Sequence, residues 1–265
     1  MHRELGNPRH SLPAMIACLL SIPTFGVTTA MAFSDSAVTP GLTLNGAANI
    51  LTGPDGHSML LLTPAKQSQA GTAFTTKSIP FNPKYRFSTF FQFKMTDPGA
   101  AGAADGIAFV LQTQGANALG GDGESMGYGG IAPSVAVEFD TWQNSFDING
   151  NHVAILTDGQ LNDIDPQTPY GVSNCQPSAG IFGCMSNGDL WSVWIDYDGT
   201  DLNVAIADNS TVRPANLISY PIDIHRILGQ SSAFVGFTAG TGAAWQNHYI
   251  VNCQFTAALG DSEEP

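Results

Sequence analysis

The sequence predicts an all-β protein, an antiparallel sandwich or barrel of short strands. Three observations predict it. Short apolar runs rich in β-branched and aromatic residues recur along the chain, each bounded by Gly, Pro, Asn or Asp. Helical periodicity is hard to find, and only 222–228 reads as one helical turn. Runs such as Phe-Ser-Thr-Phe-Phe-Gln-Phe over 87–93 carry large side chains on both faces, which fits strands covered by a second sheet or by loops.

Along the chain, Arg3 and Arg9 precede an apolar run from Leu12 that ends at Ala30-Met31-Ala32, a small-x-small pattern. Residues 1–32 are expected to be a secretory signal peptide; Pro13, Pro23 and Gly26 leave the run too short and broken to span a membrane comfortably. From Phe33 onward no linker or repeat divides the sequence, so one domain over 33–258 is expected, followed by an acidic tail at 259–265. The clearest strands are 60–63, 87–95, 106–112, 135–142, 152–156, 191–197, 202–207, 233–237 and 248–255. Long polar or Gly-rich loops occupy 96–104, 113–133 and 157–189, and loops of such length in a compact domain are usually functional or disordered.

The 265 residues carry a formal net charge of −13 and only 12% charged side chains. No basic patch exists to track a phosphate backbone, so nucleic acid is not an expected partner, nor is an anionic membrane surface; the acidity favours cations. Cys18 falls within the leader, and Cys175 and Cys184 bracket a short Gly/Pro/Ser loop, where an exported protein would hold a local disulfide. Cys253 lies in a strand-like run and reads as a buried, unreactive thiol.

The most informative segment is Val-Ala-Val-Glu-Phe-Asp-Thr-Trp-Gln-Asn at 135–144. Read as a strand, Val135, Val137 and Phe139 point one way and Glu138, Asp140 and Trp142 the other. Same-face neighbours lie about 6.6 Å apart, close enough for two carboxylates to share a metal site or serve adjacent ones. Asn144, Asp147 and His152 follow closely. Carboxylates with an amide oxygen suit calcium, whereas Glu plus His suits a transition metal. The bland reading is an ordinary solvated acidic strand face. The segment from Gly120 to Gly130 has a bare backbone able to approach a ligand, but it is no P-loop, since no Gly-Lys-Ser/Thr follows.

Taken in order, several segments resemble the legume-type (L-type) lectins, specifically their bacterial secreted relatives. They are Leu44-Asn45-Gly46-Ala47, 60–63, 87–93, the run from Ala104-Asp105-Gly106 to Leu111, 135–144, Asn151-His152-Val153-Ala154-Ile155, 235–242 and a last strand ending at Phe255. The resemblance implies a concanavalin A-like jelly-roll sandwich and a secreted, calcium-dependent carbohydrate-binding protein that is no enzyme. It implies that Asp105, after a cis Ala104–Asp105 bond, accepts from sugar hydroxyls. Asn144 would serve calcium and sugar at once. Asp140, Asp147 and the Trp142 carbonyl would complete the calcium shell, and Phe146 would be the aromatic platform for a sugar ring. Glu138 and His152 match ligands of a second, transition-metal site (such as Mn2+) that plant members carry and many other relatives lack. The stretch 147–152 is shorter than in typical plant sequences. Gly121, Gly123 and Glu124 compete for the place of the family's sugar-binding glycine, and Gly242, Ala243 and Ala244 match the last binding loop. Glycans are the implied partners, with homo-oligomerisation through the flat sheet as a compatible assembly.

Two other readings stand beside this one. Some jelly-roll glycoside hydrolases carry Glu-x-Asp-x-x-Glu on one strand, and Glu138-x-Asp140-x-x-Gln143 comes close, although Gln143 can serve as neither acid nor base. A structural matrix sandwich with degenerate sites is the third.

Overall fold

The computed structural model describes residues 41–53, 56–165, 167–172 and 184–259. The expected leader, Cys175 of the expected bridge to Cys184, and 260–265 of the expected tail lie outside them.

Two antiparallel sheets face each other. The front sheet runs, in hydrogen-bonded order, β1 (Leu42–Gly46), β4 (Gln69–Thr75), β14 (Ser232–Thr241), β7 (Gly106–Gln112), β8 (Ser134–Asp140), β9 (His152–Thr157) and β10 (Tyr170–Val172), with β5 (Ile79–Pro80) beside β14. The back sheet runs β13 (Ile218–Pro221), β12 (Asp201–Asp208), β11 (Trp191–Tyr197), β6 (Tyr85–Thr96), β15 (Asn247–Leu259), β3 (Ser58–Thr63) and β2 (Asn49–Thr52). The one α-helical turn among the described residues, α1 (Ile224–Leu228), falls where the sequence placed it; Asp223 caps it by accepting from the Arg226 N–H. This is the jelly-roll sandwich that the sequence predicts.

Between the sheets lies an aromatic core. Phe91 of β6 meets Phe109, Phe139 and Phe237 of the front sheet, with ring centroids 6.2, 5.8 and 4.9 Å away. The edge-on geometry of the last two suits ring quadrupoles as well as close packing. Cys253 points into this core, 1% exposed.

The two sheets differ in how their outer faces are covered. On β6 burial alternates strictly, and Arg86 and Ser88 face solvent, so this strand is not covered on both sides as its sequence led us to expect. Its outward Phe90 is half-buried because it packs on Trp194 of β11, 5.2 Å between centroids. By contrast β7 and β8 are buried along their whole length. Their outer faces sit under the 113–133 loop, through a second apolar cluster of Ala108, Val110, Ala136, Tyr128 and Ile131. Tyr128 fastens this cover: its hydroxyl lies 3.1 Å from Ser134 Oγ and accepts from the Gly159 N–H.

Some boundaries move. The strand at 135–142 ends at Asp140, because its carboxylate accepts the Trp142 N–H at 2.7 Å and turns the chain. β15 continues to Leu259, one residue into the expected tail. β4 and β13 were not expected; one is rich in Gly, Ala and Thr and the other ends in proline, so neither gives a strong apolar alternation.

Phe91→Ala is expected to destabilise the domain by about 3–5 kcal/mol, since it empties the centre of the aromatic cluster. Urea unfolding should show a lower midpoint with an unchanged slope; a loss below about 1 kcal/mol would mean that the core is not centred there.

Candidate functional site

The site is assembled at one end of the front sheet, where β7 begins, β8 ends and β9 begins. Asp140 pairs across the ladder with Gly106 of β7 on one side and with His152 of β9 on the other; Glu138 pairs with Ala108 and Ala154. Both carboxylates point to the covered outer face, and both are buried. Small neighbours make room for them. A Cβ at Gly106 would lie 2.4 Å from the Phe139 carbonyl oxygen and 3.1 Å from Asp140 Cα, so only glycine fits there.

The turn after β8 supplies the next groups. Asp147 Oδ2 accepts the Asn144 N–H, and the Asn144 carbonyl accepts the Asp147 N–H at 3.3 Å. Asn144 Oδ1 is buried without a hydrogen-bond partner. Its Nδ2 donates to Glu124 Oε2 at 3.2 Å. The His152 ring places Nδ1 at 2.8 Å from the Asn149 carbonyl, which fixes Nδ1 as the N–H and turns Nε2 inward. That Nε2 lies 2.6 Å from Asp163 Oδ2 and 3.4 Å from Glu138 Oε1. Glu138, His152 and Asp163 are thus a buried group whose ligand atoms all lie within 4.8 Å of one another.

Asp163 escaped sequence reading. It lies in the polar 157–189 stretch with no periodicity to single it out. Its backbone is held by the Phe146 carbonyl and its Oδ1 accepts the Ile148 N–H at 2.9 Å, so two loops distant in sequence are sewn together there.

Burying so many carboxylates costs free energy unless a cation compensates. Desolvation pushes Glu138 up to about 7, with His152 opposing, and Asp140 well above the usual carboxylate range. Asp147 rises to about 6 for the same reason. Burial opposes protonation of His152, yet Asp163 and Glu138 push it up to about 11. Oxygen-rich Asp140, Asn144 and Asp147 fit a hard cation, while Glu138, Asp163 and the inward His152 nitrogen fit a transition metal. Both donor sets therefore fit an ion.

Beside this group opens a polar cavity of about 460 Å³, lined by Asp105, Asp122, Gly123, Glu124, Ser125, Trp142, Asn144, Gly242, Ala243 and Ala244. The Ala104–Asp105 peptide is cis, as the sequence resemblance implied. The Asp105 carbonyl accepts from both the Thr141 N–H at 2.8 Å and the Thr141 hydroxyl at 2.9 Å. Its carboxylate faces the cavity, and Oδ2 is buried without a partner. Desolvation raises it to about 7; the Gly242 backbone lowers it, and Glu124 and Asp122 raise it further.

The cavity sorts the sequence candidates. Asp105, Asn144, Gly123, Gly242, Ala243 and Ala244 line it, together with Glu124. Gly121 does not; its carbonyl accepts the Gly127 N–H within the loop. Phe146 does not line it either, and here the expectation of an aromatic platform needs correction. Phe146 is half-buried beside Asp163, while Trp142, 36% exposed, lines the cavity with its indole packed against Gly102. Gln143, the residue that a hydrolase would need as a carboxyl, is exposed and outside the cavity.

A jelly-roll sandwich with a buried Glu/His/Asp group beside an open polar cavity is an architecture suited to holding an ion and a hydroxylated ligand. The legume lectin domain model matches residues 30–265, and the chain belongs to that family. The legume lectin domain is itself a non-enzymatic carbohydrate-binding domain, which removes the hydrolase reading. A putative L-type lectin-domain containing receptor kinase (I.11) of Arabidopsis thaliana is 33% identical over 82% of this chain and 33% of its own length. A second, receptor kinase VIII.1 of the same plant, is 30% identical over 95% of this chain and 35% of its own length. The chain thus spans about a third of the curated relatives that it matches. Among solved structures, peanut lectin with a 9-residue peptide aligns at a TM-score of 0.71 with 23% identity, covering 89% of this chain and 99% of that one. Metal-free lectin I-B4 of Griffonia simplicifolia aligns at 0.70, also with 23% identity, covering 88% and 100%. A Bauhinia forficata lectin in complex with GalNAc aligns at 0.67 with 18% identity, covering 89% and 100%.

The raised carboxylates fix a pH signature for the protein stripped of metal. Between about pH 4 and 7 the folded form holds protons on Glu138, Asp105 and Asp147 that the unfolded chain has released. Stability therefore falls as pH rises through this window, and His152 adds the same sign above its ordinary value of 6.5. Thermal unfolding in chelator is expected to give a midpoint that declines from pH 4.5 to 7.5, with added Ca2+ and Mn2+ flattening the decline. A chelated midpoint that climbs across the window would show that these carboxylates are not the buried charges described.

Proposed function

We propose that this chain is a secreted, calcium-dependent lectin of the kind found in bacterial secreted relatives, with Mn2+ or a similar ion in a second site. One observation carries the reading: Asp105 Oδ2 and Asn144 Oδ1 are both buried and unpartnered where the polar cavity meets the carboxylate group. Unpaired buried oxygens are costly and call for a donor or a cation. Asn144 Oδ1, Asp140, Asp147 and the Trp142 carbonyl would hold calcium. Glu138, His152 and Asp163 would hold the second ion. Each metal supplies fixed positive charge that organises the loops, and the chain's own groups do the recognition.

In that reading Asp105 accepts from sugar hydroxyls and Asn144 Nδ2 donates to one, while the Gly242 to Ala244 loop offers backbone donors at the rim. The Trp142 face takes the apolar side of the ring, as aromatic faces do when they exclude water from a hydroxylated ligand. The apolar run and small-x-small end of 1–32 support export. A shallow site of this kind binds single sugars at about 0.1–1 mM, so useful affinity would come from several sites together. Homo-oligomerisation through the back sheet would provide them. Related folds named in complex with GalNAc and with methyl-α-D-galactose give the first glycans to try.

A glycan array with the calcium-loaded chain, the chelated chain, Asp105→Ala, Trp142→Ala and Phe146→Ala tests the reading. Binding should vanish with chelator and with Asp105→Ala, fall about tenfold with Trp142→Ala, and survive Phe146→Ala. A folded, calcium-loaded protein that binds nothing on a broad array would favour a structural sandwich instead.

The second ion has its own test. Metal analysis after dialysis against Ca2+ and Mn2+ is expected to find both ions in the native chain, and only calcium in Asp163→Asn. Retention of manganese by that variant would remove Asp163 from the site.

A further inference from the structure

The rim of the cavity carries charge that the proposed lectin mechanism does not use. Asp122 caps the 3₁₀ turn Gly123–Ser125 and Glu124 sits within it, and both line the same cavity as Asp105. None of the described lining residues is Lys, Arg or His. Two divalent ions in the proposed sites would be balanced by the four carboxylates of Asp140, Asp147, Glu138 and Asp163, and so would not cancel this charge. Among the described lining residues, Asp105, Asp122 and Glu124 have no compensating cationic side chain.

Glu124 also touches the recognition machinery. Its Oε2 accepts from Asn144 Nδ2, the amide that a sugar hydroxyl would meet, and this is the one side-chain hydrogen bond described for Glu124. A ligand settling between Asp105 and Asn144 therefore passes within reach of a carboxylate that is exposed and held by a single 3.2 Å bond. The floor is not indifferent to this charge, since Glu124 and Asp122 both help to hold Asp105 up at about 7. The buried, unpartnered Asp105 Oδ2 aims into the same space and requires a donor.

We propose that Glu124, with Asp122 beside it, makes this a cavity that rejects anionic sugars and prefers hexosamines bearing a free, protonated amine. The inference rests on the lectin reading above. A neutral hexose satisfies the carboxylates only by hydroxyl donation. An ammonium group donates three hydrogen bonds and brings the opposite charge. A uronic or sialic acid brings a like charge, and the pairing is repulsive at any distance short of the screening length. Because Glu124 is exposed, the effect is modest and salt-sensitive: about fivefold in affinity for one charge pair near 4 Å in a water-like dielectric.

Matched series decide the matter: galactose, galactosamine and galacturonic acid, then glucose, glucosamine and glucuronic acid, with the N-acetyl forms as neutral amides. Calorimetric titration of the calcium-loaded full chain at low salt should find the amine about fivefold tighter than its parent and the acid at least as much weaker. The spread should shrink in Glu124→Gln, shrink further in Glu124→Gln with Asp122→Asn, and shrink in the native chain at high salt. Both residues are exposed, so these isosteric changes leave the fold intact, which thermal unfolding verifies. Three equal affinities within each series, or a spread untouched by Glu124→Gln, overturn the inference while calcium-dependent binding of the parent sugar keeps the lectin reading. If no sugar of either series binds to the calcium-loaded protein, and the array is also blank, the lectin reading falls and takes this inference with it.

Discussion

Everything at the functional end of this protein depends on one constraint: β8 is buried on both faces yet carries Glu138 and Asp140 on one of them. A strand in the middle of a sheet normally meets that condition by being apolar throughout. Here one face obeys, with Val135, Val137 and Phe139 in the core, and the other holds two carboxylates opposite Ala108, Gly106, Ala154 and His152. Without the covering loops, 113–133 on one side and the segment from Asn144 to Asp163 on the other, those carboxylates would be solvated and unremarkable. Under these loops they must be neutralised by protons or by cations, and their raised pKa values express that demand. The loop cover and the acidic strand are therefore one device. Neither makes physical sense alone.

A second chain of contacts ties the cavity-facing aspartate, Asp105, to the body of the sandwich. Thr141 grips the Asp105 carbonyl by both its N–H and its hydroxyl, and the same hydroxyl accepts from Gln246 Nε2 at 2.9 Å. Gln246 Nε2 lies 3.2 Å from His248 Nε2, and His248 Nδ1 lies 2.6 Å from Thr63 Oγ1 on the back sheet. Burial lowers His248 to about 3, so the ring is neutral and serves as a spacer in this network, not as a titrating switch. Polar groups this deep are stable only when linked, and linked groups hold one geometry. Thus the orientation of Asp105 is set from both sheets.

Most of the scaffold was legible in the sequence because its strands have either strict alternation or sustained β-branched and aromatic content. β7, β8, β9 and β11 were found nearly to the residue on that signal. β4, β2 and β13 were not: β4 mixes Gly and Ala, which disfavour strands, with Thr, β13 ends in Pro, and β2 is only four residues long, so none shows a sustained strand pattern. The acidic pair on β8 was legible for the same reason as its strand: period two puts Glu138 and Asp140 together. Loop residues obey no period, and there the reading faltered. Phe146 and Trp142 are four residues apart in one turn, and composition cannot say which ring faces the cavity. The turn does say it: Asp140 captures the Trp142 N–H, while the Phe146 carbonyl is drawn to Asp163. Asp163 itself reaches His152 only through that tertiary contact, so no local pattern could have offered it.

The last consequence follows from Asn144 serving two neighbours at once. Its Oδ1 is buried without a hydrogen-bond partner, its Nδ2 meets Glu124 at the cavity rim, and its N–H is held by Asp147. A planar amide cannot turn one end without turning the other. On the proposed reading, an ion that fixes Oδ1 also fixes the donor that meets the sugar, at no further entropic cost when the sugar arrives. Linkage then makes the effect mutual: whatever factor calcium contributes to sugar affinity, bound sugar returns to calcium affinity. Glu124 enters the same balance from the other side, because it holds Nδ2 when no ligand does. On the proposed reading, metal, sugar and rim carboxylate meet at a single side-chain amide. Coupling in this domain needs no long-range motion, only a group with two ends.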